Sequence, residues 1–243
     1  MDYDGLLELA KKRRSMRRFN PDPMPDGYVE KILEVARWAM SGANGQPWEF
    51  VVVKDAETRN KITDIVTDQT KRVRNWELTR VEDIRQPQMQ HPTKTQVGIK
   101  DAPVIILVCG DPRVYQATVQ GHFVFSAEYD NFHMSLANAT MLIHLAAASL
   151  GLSSRWVTIL PNWEWQFKDL LKIPGEFRIY AIVPVGYAAY APPPTYRREL
   201  NEMVHYEKYD QSKYRTDEDV IKFLIELRNK TRPAYTVEKS SWR

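Results

Sequence analysis

Apolar positions along the chain fall into a few clear patterns. Val29, Ile32, Leu33, Ala36 and Met40 recur at helical spacing, which predicts an amphipathic helix over Asp26–Met40. Val104–Cys109 is an unbroken apolar run and reads as a central strand, with further strands at Glu49–Val53 and Arg178–Val185. Phe132–Leu150 is apolar enough to ask whether it spans a bilayer, but His133, Asn138 and His144 interrupt it. A helix buried in a core or between subunits, capped at Gly151, is the better reading. Other helices are expected at Tyr3–Arg14, from an Asp55 cap through Thr67, at Trp163–Leu171 and around Val220–Leu227. Asp68–Lys100 is polar, holds Pro87 and Pro92, and reads as a long connection. Helices interleaved with a few strands, without repeats, predict an α+β fold.

Composition narrows the class. The chain has 243 residues, 43% hydrophobic and 27% charged, enough to bury a sizeable core. A net charge of +3, from 34 basic and 31 acidic residues, is too balanced for a dedicated nucleic-acid binder. A single cysteine, Cys109, cannot form an internal disulfide, and charges follow rather than precede the first apolar stretch. A cytoplasmic protein without a membrane span is therefore expected. Residues 205–243 are too poor in apolar residues for a separate domain and are expected to wrap around the body or a partner, leaving 1–204 as the main domain.

Metal chemistry has no sequence support. His122, His133 and His144 recur every eleven residues, but along a helix neighbours would lie about 16 Å apart, too far to share an ion. Two segments do carry chemistry. Lys11–Arg18, KKRRSMRR, packs six cations around one serine and reads either as a solvated helix end or as a phosphate site. Ser41–Trp48, SGANGQPW, combines small residues with two amides that can match a flat heterocycle, or is simply a turn.

Together these segments resemble the FMN-dependent nitroreductase family. The likeness rests on Arg13-Arg14-Ser15-Met16-Arg17, then SGANGQPWEFVVV, Asp101-Ala-Pro103, ASLGLSSRW, and IVPVGYA leading to PPPTYRREL, all in the family's order. The resemblance implies a mixed sheet surrounded by helices in a domain-entwined homodimer, with FMN at the subunit interface. It implies that Arg13, Arg14, Ser15, Arg17 and Arg197, with Arg198 beside it, hold the FMN phosphate. Ser41, Gly42 and Asn44 would reach the flavin from the other subunit, with Gln46 behind. Trp156, Val157 and Thr158 align with the segment that passes flavin N5, and Thr158 is the candidate hydroxyl there. Two departures stand out: Met40 replaces a proline usual in the family, and Ser15 replaces the aspartate of flavin-fragmenting members.

The resemblance further implies an oxidoreductase that takes hydride from NAD(P)H and, by a ping-pong mechanism, reduces a nitroaromatic, a quinone or a similar small acceptor. The alternatives are a flavin-binding sensor without turnover, or a specialised dehalogenating or flavin-fragmenting member. Residues 68–100 are expected to cover the substrate side, with Trp76 and His91 meeting the acceptor.

Overall fold

The computed structural model describes residues 2–81, 97–117, 125–192 and 195–240. It separates into two compact units, 1–190 and 191–243.

The larger unit is built on a five-stranded sheet of order β1-β5-β3-β2, with β4 also paired to β5. Its strands are β1 (Phe19–Asn20), β2 (Trp48–Val53), β3 (Val104–Gly110), β4 (Ser153–Ser154) and β5 (Arg178–Ala188). All ladders are antiparallel, and one parallel bridge joins Ser15 to Ser154. Every residue of β3 is buried, as its unbroken apolar run requires for a strand covered on both faces. Val104, Ile106 and Val108 point to one core; Ile105, Leu107 and Cys109 point to the other.

Helix α6 (Phe125–Ser149) covers the first face and packs with α2 (Tyr28–Ala36) through Leu136, Ala139, Ile143 and Ala147. Helices α3 (Ala56–Glu77) and α7 (Glu164–Leu171) cover the second, with Ile62, Val66 and Phe167 buried there. Cys109 lies in this second core, and burial first, then the Glu164 and Glu49 charges, push its thiol up to about 12. It is therefore a packing residue, not a nucleophile.

Several expected boundaries are corrected. Helix α1 (Tyr3–Lys12) ends before the arginine pair, because Arg13 takes an extended ψ of 130°. Helix α2 is shorter than expected, starting after left-handed Gly27 and ending at Ala36. Asp55 does cap α3, accepting from the Thr58 N–H at 2.7 Å, but the helix runs ten residues past Thr67. Tertiary contacts hold this polar extension: Gln69 is buried, and the Arg72 guanidinium lies over the Trp163 ring at 5.1 Å. The far end of the expected connection is also structured, as the single turn α4 (Val97–Lys100) with Ile99 fully buried. A further turn, α5 (Arg113–Ala117), follows β3.

In the smaller unit, α8 spans Asp217–Ser240, well beyond the expected Val220–Leu227. Within that unit Lys230 sits 4.4 Å over the Tyr196 ring, and Tyr196 meets Phe223 at 6.5 Å.

Candidate functional site

The basic segment leaves α1 in an extended form. The Met16 N–H donates to the Ser154 carbonyl at 3.0 Å, so residues 13–17 lie along the β4 edge of the sheet. Met16 is buried with Phe19 and Ala102 and anchors the stretch, while Arg13, Arg14 and Arg17 are half-buried and Ser15 is exposed. Arg14 donates through Nη1 to the Lys11 and Arg13 carbonyls. Its Nε is buried without a hydrogen-bond partner among the described residues. An orphaned guanidinium donor beside other arginines is the chemistry a phosphate dianion satisfies.

Sequence reasoning missed what presses on this segment from outside. A Cβ on Gly98 of α4 would lie 1.5 Å from the Arg17 carbonyl oxygen and 2.4 Å from its carbonyl carbon. Only glycine permits that approach. Arg59 holds α4 from its C-terminal side, donating to the Lys100 carbonyl at 2.8 Å and the Ala102 carbonyl at 2.5 Å.

The segment that follows β4 runs antiparallel to β5, with Val157 and Ile182 exchanging backbone hydrogen bonds at 2.9 and 3.0 Å. Val157 and Ile159 point inward, which turns Thr158 outward and leaves it exposed. Thr158 lines a cavity of about 160 Å³ together with His133, Tyr180, Glu164 and Arg178. The Glu164 carboxylate there is neutralised by Arg178 at 3.1 Å and Lys168 at 3.3 Å, so the cavity wall carries a buried, paired charge.

Behind both segments lies His144 of α6, 4% exposed. Its Nδ1 is 2.6 Å from the Ser154 hydroxyl, and its ring stacks on Trp156 at 5.9 Å. Burial first, and the Arg13 charge second, lower its pKa from 6.5 to about 4. The sign of the consequence is fixed. An unfolded His144 binds a proton below about pH 6.5, whereas the folded one refuses it until about pH 4. Its contribution is therefore present above pH 6.5 and is lost as pH falls toward 4, amounting to up to about 3 kcal/mol. Urea unfolding at about pH 7 and about pH 4.5 checks this, and His144→Asn should lose less stability across that interval than the parent.

The Ser41–Gln46 loop is held in a strained form. Ala43, Asn44 and Gln46 have φ of 50°, 55° and 47°, left-handed values in residues that carry a Cβ, and each costs on the order of 1 kcal/mol. The restraints are specific. The Gln46 N–H donates to Ser41 Oγ at 3.0 Å, and Asn138 of α6 donates through Nδ2 to the Met40 carbonyl at 3.0 Å. The buried Tyr115 hydroxyl donates to the Gly42 carbonyl at 3.3 Å. Ala43, Asn44 and Gln46 are thereby presented to solvent. Tyr115 and Asn138, which fix the loop, gave no local signal because each acts across a long sequence separation.

Trp76 is exposed on the last turn of α3, and His91 and His122 lie outside the described residues. Arg197 and Arg198 belong to the smaller unit, where Arg197 donates to the Tyr196 carbonyl and Arg198 pairs with Glu202 at 3.1 Å. Among the described residues, no cluster of three metal-binding side chains occurs, and no helix is long and apolar enough to cross a membrane.

A comparison with protein families matches residues 10–187 to the Nitroreductase family, so the chain belongs to that family. Among its relatives, a protein of Methanothermobacter thermautotrophicus with the provisional name NADH dehydrogenase/NAD(P)H nitroreductase is 29% identical, over 77% of this chain and 79% of its own. The 5,6-dimethylbenzimidazole synthase of Rhodospirillum rubrum is 30% identical, over 76% of this chain and 82% of its own. Among solved structures, oxidised iodotyrosine deiodinase bound to FMN and 3-iodo-L-tyrosine superposes with a TM-score of 0.64 at 25% identity. It covers 84% of this chain and 100% of its own.

Proposed function

We propose that this chain is an FMN-dependent oxidoreductase, working as a homodimer that draws electrons from NAD(P)H and passes them to a small acceptor such as a nitroaromatic or quinone. The observation that carries the reading is the Ser15–Ser154 bridge. It sets the arginine-rich segment against the start of the stretch that leads to Thr158, only four residues on. Four residues span at most about 14 Å, the scale of a ribityl-phosphate arm.

Bound FMN would supply the electron-transfer chemistry, which no side chain in the site provides. The protein's part is to bind and orient. Arg13, Arg14, Ser15 and Arg17 offer guanidinium and hydroxyl donors to a phosphate, and the unpartnered Arg14 Nε is the clearest fit. Thr158, exposed and lining the cavity, bears a hydroxyl there. The strained loop is set to offer Ser41, Gly42, Asn44 and Gln46 across a subunit boundary. The relatives include an FMN-bound deiodinase structure and a protein named as an NAD(P)H nitroreductase, and both support this reading.

Exposed apolar side chains that a second subunit would cover support the homodimer. Met134 and Met141 stand exposed on one face of α6, and Met40 lies beside Asn138 of the same face and is 79% exposed. Trp38, three residues before Ser41, is a further exposed apolar side chain, at 72%. If the loop serves the neighbouring subunit's flavin, removing FMN should loosen the dimer or lower its melting temperature. Sedimentation of holo- and apoprotein tests this, and a flavin-loaded monomer would contradict the shared site.

A further inference from the structure

His144 is a buried titratable group that the binding scheme does not use, and its partners are not those of a simple packing residue. One edge of the imidazole meets the Ser154 hydroxyl at 2.6 Å, and its face lies on Trp156 with ring planes 27° apart. Ser154 is 2% exposed, and its carbonyl accepts the Met16 N–H that holds the arginine segment to the sheet. Ser154 also pairs with Val185 of β5. The two-residue strand β4 is thus fixed on three sides: by β5, by the arginine segment and by His144 from α6.

We propose that His144 is a positioning residue for the phosphate end of the flavin site, acting through its hydrogen bond to Ser154. This rests on the FMN reading above. The hydrogen bond fixes the Ser154 side chain, and Ser154 in turn fixes the register of residues 15 and 16, which Arg14 and Arg17 flank. An apolar side chain of similar volume would fill the space but leave the buried Ser154 hydroxyl without this partner. The short β4 then has less to hold it, and the arginines lose their common register. The effect falls on the phosphate, because Trp156 and Val157 keep their own contacts to Tyr180 and Ile182.

Comparing FMN with riboflavin isolates that effect, since riboflavin lacks only the phosphate. Flavin is removed from the full-length protein, and each flavin is titrated by quenching of its fluorescence. His144→Phe keeps a ring against Trp156 but removes the hydrogen bond. It is expected to lower the FMN-to-riboflavin affinity ratio by about tenfold, the worth of one buried hydrogen bond. Ser154→Ala should lower the ratio similarly. His144→Asn places an amide where Nδ1 was and should restore the ratio to within about threefold of the parent. A ratio unchanged in folded His144→Phe and Ser154→Ala, or an asparagine variant no better than the phenylalanine one, overturns the proposal. Should His144→Phe not fold, Ser154→Ala and His144→Asn decide alone. Arg17→Ala separates the two levels of inference. If it lowers the ratio while the His144 and Ser154 variants do not, the positioning role falls and the phosphate site stands. If it leaves the ratio untouched, the phosphate site itself is misassigned.

Discussion

Exchanging both Arg14 and Arg17 for alanine is expected to weaken FMN binding by about two to four orders of magnitude, with little loss of fold stability. Each charge-assisted contact to phosphate contributes about 1.5–3 kcal/mol, so the pair accounts for roughly 3–6 kcal/mol if the contacts act independently. The fold should survive because the segment is anchored by other groups. Met16 fills the buried site next to Phe19, and the Met16 N–H, not a guanidinium, makes the bond to Ser154. Helix α1, just before it, buries no residue. Calorimetric titration of the apoprotein with FMN measures the loss, and thermal melts of the apoproteins check the fold. A double variant that copurifies with full flavin and titrates like the parent would remove the arginines from the site.

The second large effect is expected from Gly98→Ala. The new Cβ would fall 1.5 Å from the Arg17 carbonyl oxygen, a distance no side-chain rotation relieves because the backbone fixes the Cβ and its partner is itself backbone. Neither side can retreat easily: Ile99 and Ala102 are fully buried, and Arg59 pins the carbonyls of Lys100 and Ala102. A loss of about 3–5 kcal/mol in unfolding free energy follows, with displacement of Arg17 and weaker FMN binding in whatever remains folded. Gly175→Ala is the control. Nothing lies within 4 Å of a Cβ there, so it should change stability by less than about 0.5 kcal/mol. Equal melting temperatures for the two variants would show that the contact of α4 with the arginine segment is not maintained in solution.

The arginine pair and Gly98 mark the boundary of what the sequence discloses. The arginine motif stood out because its chemistry is local: six cations and a serine within eight residues pose the choice between a solvated helix end and a phosphate site without any knowledge of the fold. Strand β3 and helix α6 were legible for a similar reason, since each carries its own apolar pattern. Gly98 and His144 were not. Gly98 sits at the end of a polar stretch, and its meaning depends on a backbone some eighty residues earlier. His144 reads as a core histidine until Ser154 and Trp156 are brought to it by the sheet. Residues 68–77 failed in the other direction. They lack apolar periodicity, yet stay helical because Gln69 is buried, Asp68 pairs with Arg72, and Arg72 lies over Trp163. Contacts of that kind override local pattern, and local pattern is all that a single sequence offers.

The loop at Ser41 combines both cases. Its composition announced a special turn, while the left-handed Ala43, Asn44 and Gln46 could not be foreseen, since only glycine advertises such backbone. Strain of this kind persists where surrounding contacts over-determine it, here through Tyr115 and Asn138. The exposed methionines beside the loop place that strain at the margin expected to meet a second subunit.

The proposed function requires that this chain carry FMN and exchange electrons with NAD(P)H. An absorbance spectrum of the purified protein, recorded anaerobically before and after addition of NADH or NADPH, tests it most directly. A yellow protein with oxidised-flavin bands that bleach on addition of a nicotinamide, and return when a quinone or nitroaromatic is admitted, is the predicted result. A colourless protein that takes up no FMN would contradict the cofactor assignment, and bound flavin that neither nicotinamide bleaches would contradict the proposed electron donor.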